Sequence, residues 1–556
     1  MFNNNKILVV IPIMDDSIGI PRKYSRLMNN KPLISYSIEL AKASQYVDDV
    51  VVTTDNSELA LISEKFGASV IRRSGDLAAA DASLEQVIYD AMVQKEKLAF
   101  DEYDIVIIIQ PSSPLLKSAT LDKAIERFED FAIESIIGVV EDSHLSWRYD
   151  DDNQRFFPNY IERLKKQDLP KSFRESGSVV VSRRGLIHED SYIGSNIDLI
   201  VLSREESIDI QNYDDWMVVE SHIQKKRVAF IVNSNNEIGN RPIHTCLSMA
   251  SKLISHDFIV LLDKHYESGI KVINEYGYDY KVYDGTEELL TILKEFNPHI
   301  VINNIQDTFE DYMLSLKNEG YFVVNFDDLG VGIDYADIVF DCLYEHDLSE
   351  SNVYTGYKYY VLKDEFYFQP TKVITQDVNN VLIIFEGTDS NHLSELFLDA
   401  ILSTNYNNKI NIILGGGYEN IEELVSKYES NPLIQIYQNV SDVSEFMFKA
   451  DIIITSASKT MYDACSLAVP TICVCQNDLE KTHVFANASN GFINMGMGEQ
   501  LTKQEIVDQF VALANNPELR IEMNNKMKRI DLKHGFDNIK SVVQEKYVDF
   551  KNGDAK

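Results

Sequence analysis

Short apolar runs alternate with longer amphipathic stretches along the whole chain. The runs lie at 7–11, 50–53, 105–109, 179–181, 228–232, 259–262, 300–302, 322–326, 381–385, 410–414, 452–455 and 471–474. Most are rich in Ile, Val and Phe, the composition of strands covered on both faces. Between most of them the apolar positions recur at helical spacing, as over 32–44, 57–66 and 120–131. Strands alternating with helices predict an α/β protein with largely parallel sheets. Two joints divide the chain. A helix at 214–224 ends in Lys225-Lys226-Arg227 and a fresh strand begins, and a polar stretch at 370–380 precedes the strand at 381. The expected domains are therefore 1–224, 225–372 and 373–556.

Length and composition narrow the class. A chain of 556 residues is long enough for several cores. With 52 Lys+Arg against 87 Asp+Glu the net charge is −35. A duplex nucleic acid or an anionic membrane surface demands a basic patch, and no Lys/Arg block is present, so both partners are excluded. No apolar run reaches the ~18 residues of a membrane span. The first six residues lack a signal-peptide layout, which predicts a cytoplasmic protein. The five cysteines are too scattered for a disulfide framework; Cys473 and Cys475 share one face of a strand and read as small hydrophobes.

The chemistry starts after the first strand, in Pro12-Ile13-Met14-Asp15-Asp16-Ser17-Ile18-Gly19-Ile20-Pro21-Arg22-Lys23. The C-terminal edge of a parallel strand is where an α/β sheet holds its ligand. A Gly beside a Ser and two cations suits phosphate groups, although the same loop also reads as a plain connection with a basic pair. Lys31-Pro32-Leu33, Thr53-Thr54-Asp55, Asp76-Leu77-Ala78-Ala79-Ala80-Asp81 and Gln110-Pro111-Ser112-Ser113-Pro114-Leu115 follow in order. Over about 6–220 this succession resembles the acylneuraminate cytidylyltransferases, which activate sialic and related nonulosonic acids as CMP-sugars. The resemblance implies a Rossmann-like nucleotidyltransferase domain, CTP as substrate, Mg2+ as cofactor and a homodimer as the assembly. It places Ser17 and Gly19 at the nucleotide phosphates, with Arg22 and Lys23 as catalytic cations. Gln110, Ser112 and Ser113 face the sugar acid, and Asp209, in Ser207-Ile208-Asp209-Ile210-Gln211, is a metal ligand.

The match has gaps. Met14 and Ile18 stand where the family has an Arg and a Lys, Tyr24 replaces an Asn, and Leu116 replaces an Arg. Gln211 occupies the place of the second metal aspartate, and a neutral amide holds a hard dication less well. These losses predict a degenerate cytidylyltransferase centre, because cations there stabilise transition-state charge.

In the second half, Thr455-Ser456-Ala457-Ser458-Lys459-Thr460 leads from a strand into a helix. Such a turn either forms an N-cap on Ser456 or Ser458 or presents free N–H groups to an anion. Nearby, Phe385-Glu386-Gly387-Thr388-Asp389 and Leu414-Gly415-Gly416-Gly417 each end a strand, and Tyr357–Phe366 precedes them. Over about 228–500 these runs resemble the pseudaminic-acid-pathway UDP-sugar hydrolase and its spore-coat glycosyltransferase relatives. The resemblance implies a GT-B-like pair of Rossmann-like units with a UDP-sugar in the cleft. Gly387, Ser458, Lys459, Thr460 and Asn477 are the expected nucleotide contacts. The family's His and Arg after the first strand fall at Pro242 and Thr245. Glu480 and His483, at i and i+3, would share one helix face and form a compensating catalytic pair, or a solvated face.

The combined expectation is a nucleotide-sugar enzyme of nonulosonic-acid, polysaccharide or surface-glycan biosynthesis. It joins a degenerate cytidylyltransferase-like domain to a working glycosyltransferase or nucleotide-sugar hydrolase. The alternative makes the first domain a non-catalytic scaffold or binding domain fused to a glycosyltransferase.

Overall fold

The structure, a computed structural model, describes the chain apart from residues 1, 3–4, 14–18, 74–76, 78–81, 235–239, 344–351, 386, 390, 439, 441 and 554–556, and the side chains of 267 and 268. The chain divides into two compact units, Met1–Lys225 and Lys226–Lys556.

The first unit is built on a seven-stranded sheet. Its order is Ile197–Leu202, Ser135–Glu141, Phe173–Arg183, Ile105–Ile109, Ile7–Pro12, Asp49–Thr54, Ser69–Arg72. All neighbours are parallel except Phe173–Arg183, which runs against both of its partners. The two-residue period of a strand sends successive side chains to opposite layers. Ile7, Val9, Ile11, Ile105, Ile107 and Ile109 join one core, while Leu8, Val10, Val106 and Ile108 join the other. Sequence order reverses between Ile7–Pro12 and Ile105–Ile109, so a crevice opens beyond their C-terminal ends.

The second unit holds two further sheets. The first lobe has seven strands, all parallel, with its reversal between Arg227–Val232 and Ile300–Asn304. The second lobe has six parallel strands, in the order Ile434–Gln438, Lys409–Leu414, Asn380–Phe385, Ile452–Ser456, Thr471–Cys475, Phe492–Met497. Here the reversal lies between Asn380–Phe385 and Ile452–Ser456. The last helix, Gly535–Gly553, returns to the first lobe, where Phe536, Ile539 and Tyr547 pack with Phe230, Phe322 and Phe340. Two Rossmann-like lobes joined by a return helix make the GT-B-like layout expected of this half. All five cysteines are free and buried, and Cys473 and Cys475 sit in one core with Cys465. Among the described residues no helix is long and apolar enough to cross a membrane.

The return helix begins at a point of very close approach. A Cβ on Gly535 would collide with the backbone carbonyl of Tyr360, in the segment that links the lobes. Gly535→Ala is expected to cost about 1–3 kcal/mol, the usual range for overpacking a tight contact. Denaturant unfolding of the whole chain measures it.

Candidate functional sites

In the first unit the residues on either side of the crevice meet around Ile210. The Ile210 N–H donates to the Ser112 carbonyl at 2.9 Å, and Lys23 Nζ donates to the Ile210 carbonyl at 3.0 Å. Gly19 has φ +111°, and a Cβ there would lie 2.7 Å from the Gln211 carbonyl, so only glycine fits. Gly19, Lys23, Ser112, Asp209 and Gln211 are thus brought together. Burial pushes the Lys23 amine below its ordinary range, against the pull of Asp209 and Asp215. The Gln211 side-chain amide donates to Asp209 Oδ2 at 3.1 Å. Asp209 Oδ1 is buried and has no hydrogen-bond partner among the described residues, and neither has the fully buried Ser113 Oγ. Gln110 ends its strand with a backbone bond to Ser178, and its carbonyl accepts from the Ser113 N–H.

Arg22 stands outside this group. Its guanidinium grips both oxygens of Glu58 at 2.6 and 2.7 Å on the exposed surface. An exposed pair of this kind is worth at most about 1 kcal/mol, so an incoming polyanion can recruit the cation. Ser17 lies outside the described residues, as do Met14 and Ile18. Leu116 is core, and Lys117 carries the start of the helix Ser118–Glu126. Sequence reading missed Arg73. This buried side chain ties together the Ile13 and Thr53 carbonyls and Asp55 at 2.7, 3.0 and 3.2 Å. Its signal was a basic residue directly after an apolar run, where a buried cation must find partners.

In the second unit the loop after Ile452–Ser456 lines the crevice at the reversal. Neither Ser456 nor Ser458 caps the helix Thr460–Leu467: Ser456 Oγ donates to Ser458 Oγ at 2.8 Å, and Lys459 holds the N-cap position without a side-chain bond. Thr460 Oγ1 is buried and unpartnered among the described residues. Lys459 Nζ pairs with Asp327, at the end of Phe322–Phe326 in the first lobe. Burial opposes the Lys459 charge, yet Asp327 and the Cys342 thiol outweigh it and raise the amine. Arg241 Nη2 meets Asp463 Oδ2 at 2.9 Å, and Tyr360 OH donates to Asp463 Oδ1 at 2.6 Å. The Tyr360 and Tyr462 rings stack at 4.6 Å, and Tyr462 OH donates to the Cys342 carbonyl. Arg241 was missed because it replaces a small residue in the resembling motif, and only the fold brings it to Asp463.

Gly387 has φ +76°, and its carbonyl leaves no room for a Cβ on Gly415, so the two glycine loops pack at the sheet edge. Asp389 caps the helix Leu393–Leu402 through the Leu393 and Ser394 N–H groups at 2.8 and 2.9 Å.

The Glu480/His483 pair does not form as expected. Glu480–Thr482 is a single 3-10 turn, and Asn477 caps it by accepting from the Glu480 N–H at 3.0 Å. The Glu480 carboxylate folds back onto the Gln476 N–H at 2.8 Å, closing its own loop. The segment is too short for an α-helical face, and a carboxylate satisfies nearby backbone donors first. His483 follows the turn and is buried, with Nδ1 against the Ala457 carbonyl. That contact assigns the proton to Nδ1 and leaves Nε2 as the acceptor nitrogen. Burial holds the imidazole below its ordinary range despite Asp327. His483 is thus a neutral base beside the Lys459–Asp327 pair, and Glu480 is a loop latch.

With this geometry in view, residues 8–167 match the cytidylyltransferase family model. The matched stretch lies within the first unit. The chain is 29% identical over 236 residues to the CMP-N,N'-diacetyllegionaminic acid synthase of Legionella pneumophila, covering 41% of this chain and 100% of that one. It is 26% identical over 327 residues to an uncharacterized protein of Methanocaldococcus jannaschii, covering 52% and 67%. Among solved structures, MurG of Acinetobacter baumannii aligns at a TM-score of 0.43 and 16% identity, over 58% of this chain and 99% of that one.

One half-buried carboxyl tests the electrostatics of the second unit. Glu365 Oε1 has no partner among the described residues. Burial, with Asp442 and Asp463 nearby, pushes its pKa up to about 7 from 4.5. The folded value lies above the unfolded one, so its stabilisation is full below about 4.5 and is lost as pH rises through about 7. Glu365→Gln is expected to melt higher than the parent at about pH 8 and no higher at about pH 4.5, which paired thermal melts will show.

Proposed function

We propose that the first unit activates an acidic nonulosonic-type sugar with CTP, and that the second unit binds a nucleotide sugar in its cleft and hydrolyses or transfers it. The observation that carries the first half is the convergence of Gly19, Lys23 and Ser112 on the segment Asp209–Gln211. The name and full-length coverage of the Legionella relative support the sugar class. Lys23 would neutralise a triphosphate oxygen, and the Gly19 backbone would let the phosphates approach closely. Gln110, Ser112 and Ser113 lie on the far side of the crevice, where the sugar acid would sit.

Among the described residues no cluster of three or more His, Cys, Asp or Glu side chains holds a metal by itself. The unpartnered Asp209 Oδ1 fits Mg2+ delivered with the nucleotide, since that ion commonly binds through one or two carboxylates plus substrate phosphates. Bound there, it would neutralise developing charge on the phosphates. Gln211 would keep Asp209 turned toward it through the amide bond to Oδ2.

In the second unit, the Lys459 ammonium and the Thr460 hydroxyl would take the diphosphate, with Gly387 across the crevice. His483, neutral and with Nε2 basic, would accept or donate the proton at the sugar.

Release of pyrophosphate from CTP, Mg2+ and a panel of nonulosonic acids tests the first centre. Lys23→Ala and Asp209→Asn are each expected to lower the rate by about 100-fold or more, the scale of losing one group that stabilises transition-state charge. No release with any acid would reject the activity. His483→Ala should abolish turnover of a UDP-sugar while Glu480→Gln keeps it; equal turnover by both would remove His483 from the reaction.

A further inference from the structure

Two cations flank the cleft of the second unit, and each is held by a carboxylate from the opposite lobe. Lys459 of the second lobe pairs with Asp327 of the first, and Arg241 of the first pairs with Asp463 of the second. The two pairs are not equivalent. Asp463 lies within a helix, is 1% exposed, and has each oxygen committed, one to Arg241 and one to Tyr360 OH. Asp327 sits at a strand end with φ 51° and engages only Lys459 and the Cys342 thiol among the described side chains. Its own loop does not depend on it. The adjacent Asp328, fully buried, takes the Thr308 and Gly330 N–H groups at 2.9 Å and the Asn325 amide at 2.6 Å. The Asp327 side chain can therefore leave Lys459 without unfolding the turn that carries it.

The site it covers is formed for an anion. Lys459 precedes the helix Thr460–Leu467; the Met461 and Tyr462 N–H groups already donate to the Ser458 and Lys459 carbonyls, while Thr460 Oγ1 ahead of them is buried without a partner among the described residues. Asp327 and Lys459 together wall a small cavity shared with Thr245, Cys342 and Tyr360. A buried hydroxyl and a buried ammonium side by side favour a phosphate over a side-chain carboxylate, because phosphate offers more acceptor oxygens to the same donors.

We propose that Asp327 is a displaceable gate: its carboxylate holds Lys459 until the diphosphate of a nucleotide takes that place, and the exchange unties the two lobes at this point. This rests on the nucleotide reading of the cleft. It adds a residue of the first lobe that restrains the second lobe's phosphate site and so couples ligand binding to lobe opening.

Calorimetric titration of UDP into the full chain at fixed ionic strength tests it. Asp327→Asn is expected to tighten UDP by about tenfold, since removing one partner of a buried pair leaves the other charge uncompensated. Asp327→Ser must behave in the same way, and adding Lys459→Met must erase the gain. UDP binding by the parent with no tightening in either folded variant overturns the gate and leaves the nucleotide reading standing. No binding of UDP or of inorganic pyrophosphate by the parent or by either variant overturns the nucleotide reading and the gate together.

Discussion

Parallel strands covered on both faces by apolar side chains leave polar chemistry mainly to the loops at their ends, and that constraint bears on where this protein can act. In the first unit even the alternate positions of Ile7–Pro12 and Ile105–Ile109 are buried, one set in each core layer. Polar groups are expelled to the loops beyond the strand ends, and only where strand order reverses do two such loops part to make a crevice. Each sheet has one such reversal. In the first it is flanked by Gly19–Lys23 and by Gln110–Ser113, and in the last by Gly387 and the 456–460 turn.

Charge is the second constraint. In a chain of net charge −35 a cation near a site rarely stays without a carboxylate. Arg22 is held by Glu58, Arg73 by Asp55, Arg241 by Asp463 and Lys459 by Asp327. What separates these pairs is burial. The exposed Arg22 pair yields easily to a competing anion, whereas a buried pair gives up its partner only for a group that satisfies the same donors at least as well. Under the proposed function acidity would act as a filter: a weakly binding anion would not displace the resident carboxylates, whereas a polyphosphate with several oxygens would.

The fold was legible in the sequence because period and composition agree in most of the fully buried strands. All twelve apolar runs fall inside strands. Some of the strands that were not legible are half-buried, such as Ile197–Leu202 and Ile434–Gln438, whose polar and exposed positions dilute the signal; others, Ser135–Glu141 with its central Gly138 and the four-residue Ile338–Asp341, are buried and were passed over all the same. Of the sites, the loops were legible as loops, but the direction of each side chain was not. Asp327 and Asp328 are adjacent and chemically alike; one reaches the cleft and the other holds the turn, a difference set by the αL conformation at Asp327. Glu480 and Asp389 likewise carried the right chemistry for a site and spend it on backbone donors of their own loops. Arg241 and Asp463 are 222 positions apart, and no local pattern could join them.

Gln211 shows how a departure from a motif can change a residue's role without emptying the site. As the second metal aspartate it would have added charge and a ligand. As an amide it donates to Asp209 Oδ2 and accepts nothing from Lys23, whose ammonium turns instead to the Ile210 carbonyl. Asp209 is thereby oriented by a neutral neighbour, with one oxygen committed and the other left facing inward unpartnered among the described residues. A carboxylate beside it would have repelled Asp209 and drawn Lys23 into an ion pair. The amide avoids both, so Asp209 and Lys23 are not tied to each other, and under the proposed function one would serve the cation and the other a phosphate.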